Sequence, residues 1–131
     1  MIGLDTNILV RYLAQDDPEQ SAKANRIVEH DLTEANPGFV SVVAMTETVW
    51  VLERAYGVSD LQIAAAVEEM LQADFLSVEC EQEVFTAAAA LKEGRGSFAD
   101  ALIAALGEKA GCSWTLTFDR KASRLAGFRL L

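Results

Sequence analysis

Four carboxylates in this 131-residue chain interrupt or follow apolar runs that a folded core would claim. Asp5 comes directly after Met1-Ile2-Gly3-Leu4 and just before Ile8-Leu9-Val10. Glu47 is the one charge between Phe39 and Leu52, and Asp100 the one charge between Phe98 and Leu106. Asp119 closes the run Trp114-Thr115-Leu116-Thr117-Phe118. A buried carboxylate is costly unless it is paired or binds a cation, and no Lys or Arg stands inside any of these runs. Two carboxylates about 4 Å apart repel by roughly 4 kcal/mol at an effective dielectric of about 20. Several brought together would therefore demand a cation. Oxygen ligands with no His or Cys nearby favour Mg²⁺ or Mn²⁺ over Zn²⁺, and a carboxylate-held Mg²⁺ is common equipment for phosphodiester hydrolysis.

Each acid also has a plainer explanation. Asp5 and Asp119 could cap the helices that follow them, since Asp is a favoured N-cap. Ser97-Phe98-Ala99-Asp100 resembles a capping box, and an acid suits the positive end of a helix. Glu47 resists this reading, because on a helix it shares a face with Val43, Trp50 and Val51 and a surface role is not expected. The set of four carries more weight than any member.

Hydrophobic periodicity supplies the elements that would position these acids. Met1 to Leu4 reads as a strand and Asn7 to Ala14 as a short helix; Asp17-Pro18 opens a second helix to about Leu32. Asn36-Pro37-Gly38 is a turn before a strand over Phe39 to Val42, and a helix then runs to about Tyr56, stopping at Gly57. Ser59 caps a helix carrying Leu61, Ala64, Ala65, Glu68 and Leu71 at helical spacing. Phe75 to Val78 is the third strand, followed by a helix from about Glu81 to Lys92 and another from Ser97. Trp114 to Phe118, a short basic helix, and Phe128 to Leu131 complete the series. Strands separated by helices, with no hairpin signal, predict a parallel sheet covered by helices on both faces. In such sheets the functional crevice lies beyond the C-terminal strand ends, which is where Asp5 and Asp119 fall.

Composition bounds the answer. At 14.2 kDa and 51% hydrophobic residues, the chain fits one domain of residues 1–131 with a substantial core. The longest apolar runs fall short of the roughly 18 residues of a membrane span, and no secretory leader pattern is visible at the start. Cys80 and Cys112 form no C-x-x-C pair, so a reduced, cytoplasmic protein is the simplest expectation. The net charge of −9 argues against a non-specific nucleic-acid binder. Setting the four acids aside as metal ligands leaves 16 acidic against 11 basic residues, or −5, and bound divalent ions would reverse the sign locally.

At these residues the chain resembles a known family. Leu4-Asp5-Thr6-Asn7, Thr46-Glu47, Phe98-Ala99-Asp100-Ala101-Leu102-Ile103-Ala104-Ala105 and Thr117-Phe118-Asp119 are similar to the motifs of PIN-domain ribonucleases, and the compact length is similar to that of the VapC toxins of toxin–antitoxin pairs. The resemblance implies a three-layer α/β/α fold on a five-stranded parallel sheet in the order 3-2-1-4-5. It implies Mg²⁺- or Mn²⁺-dependent cleavage of RNA by a metal-activated water, and a homodimer neutralised by a VapB-type antitoxin. Asp5, Glu47, Asp100 and Asp119 match the family's acids, with Asp5 and Asp100 as principal metal ligands, Glu47 acting through water and Asp119 completing the site. Thr6, Asn7 and Thr117 match the supporting polar positions.

Arg95 and Arg120, beside two of the acids, are the residues expected to meet phosphate. His30 reads as a solvated helix position, the two cysteines as small core residues, and Trp50 and Tyr56 as core or dimer contacts. Two other classes compete with the nuclease reading. One is a PIN-like interaction module without catalysis, which a missing acid would signal. The other is a phosphate-accepting receiver domain, which needs an acid pair that Leu4-Asp5-Thr6 does not offer.

Overall fold

Side-chain caps set where most of the helices begin. Asp5 Oδ1 accepts the Thr6 N–H at 2.8 Å and starts α1 (Thr6–Ala14). Asp17 Oδ1 accepts the Gln20 N–H at 3.0 Å, and Pro18 occupies the first position of α2 (Pro18–Arg26), where a missing N–H costs nothing. Ser41 and Ser59 cap α3 (Val42–Arg54) and α4 (Asp60–Gln72) through their hydroxyls. α5 (Glu81–Lys92) opens on Cys80, which has a left-handed φ of 52° and makes no cap bond; Glu81 and Glu83 in the first turn complement the helix end. Ser97 caps α6 (Phe98–Lys109). The predicted helix from Asp17 to Leu32 has nearly the expected extent, but Ile27–Asp31 is wound as a π-helix, closed by Leu32 N–H on the Ile27 carbonyl at 2.9 Å.

Strands β1 (Ile2–Gly3), β2 (Gly38–Val40), β3 (Leu76–Val78), β4 (Thr115–Thr117) and β5 (Phe128–Leu130) alternate with these helices in the predicted sequence, and a 3-10 turn at Ala122–Arg124 separates the last two. The computed structural model describes residues 1–131, which divide into two compact units, 1–79 and 80–131.

In the first unit β1, β2 and β3 form a parallel sheet in that order, with Ile2 opposite Gly38 and Phe39 opposite Ser77. Gly38 gives room to two buried leucines. A Cβ there would stand 2.7 Å from Leu4 Cδ1 and 2.8 Å from Leu32 Cδ1. Val40, Met45, Ile63 and Val67 are buried at the centre of the unit. On α4 the core face is Ile63, Ala64, Val67 and Met70, so of the predicted stripe only Ala64 is buried and Leu61 is exposed.

In the second unit β4 and β5 form a parallel pair with Leu116 opposite Arg129. α5 lies along α6, and much of what the two bury is alanine: Ala87, Ala88 and Ala90 on one, Ala101 and Ala104 on the other. Such small side chains let helix backbones approach closely. α6 also closes on β4 at Gly107, where a Cβ would meet Thr115 Oγ1 at 2.7 Å.

The expected single five-stranded sheet is thus met by two sheets. The neighbours 3-2-1 are present in one and 4-5 in the other, all parallel.

Candidate active site

Asp5 stands where β1 gives way to α1, and its exposed carboxylate is the α1 cap. Oδ1 is engaged by Thr6 N–H. Thr6 is buried beneath it, and Asn7 faces solvent on the first turn.

Glu47 lies in the second turn of α3, and its surroundings correct the sequence reading. The buried face of α3 is Ala44, Met45, Thr48, Val49 and Leu52. Glu47 is exposed together with Val43 and Trp50, which are 71% and 59% accessible. α3 carries apolar residues around most of its circumference, so the carboxylate sits on an apolar face that points outward. The inward polar residue is Thr48, whose fully buried hydroxyl has no hydrogen-bond partner.

In the second unit Asp100 occupies the third position of α6, half-buried, and its N–H donates to Ser97 Oγ at 3.1 Å. This is one half of a capping box. Asp119 is exposed after β4, and its Oδ1 accepts from Lys121 N–H at 2.8 Å and Ala122 N–H at 3.4 Å, holding the turn into Ala122–Arg124. Thr117 Oγ1 accepts the Asp119 N–H at 3.0 Å, which fixes the acid's backbone on leaving the strand. The cap role weighed for Asp5 is therefore observed, whereas Asp119 ties the turn ahead of Ala122–Arg124, whose N-cap is Lys121.

Capping leaves chemistry available. Asp5 and Asp119 each use one carboxylate oxygen on backbone N–H groups, and neither Glu47 nor Asp100 accepts a side-chain hydrogen bond or an ion pair. An all-oxygen set of exposed or half-exposed carboxylates, none neutralised by Lys or Arg, is the donor chemistry that suits a hard divalent cation. Neither unit by itself gathers three or more His, Cys, Asp or Glu side chains into a metal-binding group. Asp5 and Glu47 belong to the first unit, Asp100 and Asp119 to the second.

The proposed phosphate contacts differ from one another. Arg95 is tied to Glu93 by a 2.6 Å ion pair, whereas the exposed Arg120 side chain has no such partner. His30 is exposed, as expected. The cysteines are not core residues: Cys112 is exposed, and half-buried Cys80 accepts from Lys109 Nζ at 3.5 Å. That contact, then Glu83 at 3.3 Å, raises the lysine's pKa above its ordinary value. Exposed Trp50 is not a core residue, and Tyr56 is a partner of Asp16 and Arg11.

Sequence reading missed one feature of the second unit. The Arg129 guanidinium lies over the Trp114 ring, 5.1 Å from its centroid. Its signal was the strict alternation Trp-Thr-Leu-Thr-Phe over 114–118, which belongs to a two-faced strand and not to one buried on both sides.

No curated protein matches the chain. The family model for the PIN domain matches residues 2–128, nearly its whole length. Proteins with this domain are in general nucleases and typically use divalent metal ions. The motifs around Asp5, Glu47, Asp100 and Asp119 fall within the matched span, and the chain belongs to the PIN-domain family.

Proposed function

We propose that the chain is a Mg²⁺- or Mn²⁺-dependent endoribonuclease and the toxin of a VapBC-type pair. The observation that carries this reading is the unpaired state of the four acids: in a PIN-family chain, each keeps at least one carboxylate oxygen free of protein partners. Asp5 and Asp100 would be the principal ligands, Glu47 would act through water, and Asp119 would complete the set. Their convergence requires the C-terminal ends of β1 and β4 to be neighbours, the order 3-2-1-4-5. Thr6, Asn7 and Thr117 would hold the carboxylates and a phosphate oxygen in place. A divalent ion at such a site supplies a water of lowered pKa and offsets charge on the scissile phosphate.

The test is cleavage of RNA by the purified chain with Mg²⁺, with Mn²⁺ and with excess EDTA. Activity that needs either ion and stops in chelator is the expected result; undiminished activity in EDTA overturns it. The toxin assignment adds a homodimer and a small, partly basic antitoxin that sets an arginine against the acids, offsetting their charge and competing with the metal. A neighbour-encoded protein that fails to co-purify or to suppress toxicity would remove that assignment and leave the nuclease one standing.

A second reading, an interaction module without catalysis, draws on the backbone N–H bonds that Asp5 and Asp119 already accept. Asn caps a helix nearly as well as Asp, so Asp→Asn variants separate the two.

A further inference from the structure

One face of the β4–β5 pair carries rings and a cation in the open. Side chains alternate along a strand; in β4 Thr115 meets α6 and Leu116 is 60% accessible, and the flanking Trp114 and Phe118 are 54% and 81% accessible. The register sets Arg129 beside Leu116 on the same face, and its guanidinium stacks over Trp114. Three large apolar side chains exposed along one short segment are a candidate binding surface.

Charge says what. The first unit holds 14 of the 20 acidic residues and four of the 11 basic ones, whereas the second holds six acidic and seven basic. Between residues 114 and 131, Arg120, Lys121, Arg124 and Arg129 stand against one acid, Asp119. The exposed rings therefore lie in the most basic stretch of a chain whose net charge is −9. Four cations against one acid favour an anionic ligand along this stretch. The ligand that complements cations interleaved with flat rings is a polyanion that also carries flat rings.

We infer that this face is a stacking platform for single-stranded RNA. Trp114 and Phe118 take bases on their rings, Arg129 holds the Trp114 plane and meets phosphate, and Arg120, Lys121 and Arg124 draw in the backbone. Phe118 directly precedes Asp119, so a strand stacked here runs toward one of the proposed acids. The choice of RNA rests on the ribonuclease reading. A duplex, whose bases are already stacked on one another, would not use the rings.

The experiment uses the full chain with Trp50→Phe, which leaves Trp114 as the sole tryptophan, in EDTA so that binding is read without cleavage. Titration with a short oligouridylate should quench Trp114 fluorescence saturably. Phe118→Ala and Arg129→Gln should each weaken binding by roughly tenfold, and Phe118→Tyr should restore it. Circular dichroism checks that each variant is folded. No quenching overturns the inference, as does quenching indifferent to both variants or matched by an RNA duplex. Emission that depends on protein concentration and ignores RNA also overturns it, assigning the face to a second copy. A chain that binds but never cleaves leaves the platform standing and removes the nuclease reading; one that cleaves without quenching does the reverse.

Discussion

The Tyr56 hydroxyl donates to Asp16 Oδ2 at 2.5 Å across 40 residues of sequence, joining the end of α3 to the turn after α1. Arg11 Nη1 donates to the same hydroxyl at 3.0 Å and to Asp16 Oδ1 at 3.2 Å. The Tyr56 hydroxyl is the main reason the Asp16 carboxyl lies below its ordinary 3.8, with Asp16's own backbone N–H and Arg11 adding to it against the effect of burial. Asp16 in turn is the main reason the Tyr56 phenol lies above its ordinary 10.0.

The signs define a pH window. A depressed carboxyl pKa contributes stability that is present above 3.8 and lost as pH falls through the lowered value. A raised phenol pKa contributes stability that is present below 10.0 and lost as pH rises through the raised value. Tyr56→Phe should lower Tm slightly near neutrality, with the deficit shrinking at both acid and alkaline ends. Thermal melts across pH check this, and a pH-independent deficit would refute it.

Asp5→Asn and Asp100→Asn should abolish RNA cleavage while leaving Tm in metal-free buffer unchanged or raised. Asn keeps the cap of α1, and in the proposed metal site the loss of one negative charge would relieve repulsion among the acids. Retained cleavage would assign both acids to structure alone.

Thr48→Val should stabilise the chain by about 1 kcal/mol. The hydroxyl is buried without a partner, and an isosteric methyl removes that desolvation cost while keeping the volume. Urea unfolding measures the change, and a loss of stability would mean that the hydroxyl has a role.

Gly107→Ala tests how close α6 sits to β4. In a free helix this change gains about 1 kcal/mol, but here the new Cβ meets Thr115 Oγ1 at 2.7 Å. Overpacking costs roughly 1–3 kcal/mol, so the single variant should be less stable. With Thr115→Ala present, Gly107→Ala should become stabilising.

The order of elements was legible because each helix is announced by its own signals. Asp17-Pro18, Ser59 and Ser97 are caps in the structure as the sequence predicts. What one helix cannot announce is which way it faces when apolar residues surround it. On α3, Val43 and Trp50 are as apolar as Met45 and Val49, so periodicity alone chose the outward face for Glu47. The same ambiguity misplaced Leu61 on α4 and treated β4 as buried on both sides. Strand neighbours within each sheet followed the family resemblance, but pairing between strands distant in sequence leaves no local trace. The acids were legible as a set, and the cap bond of Asp5 was legible on its own. Neither property tells from sequence which role dominates.

The alanine seam between α5 and α6 limits how this chain can change over generations. Ala87, Ala88, Ala90, Ala101 and Ala104 are all buried on two helices that lie along one another. At a buried alanine, glycine costs helix stability and a larger side chain overpacks, so change at these five positions is narrowly bounded. The exposed residues of the same helices, such as Phe85 and Ile103, are under no such ceiling. Variation among descendants of this sequence should therefore collect on the outer faces of a helix pair whose inner seam stays fixed.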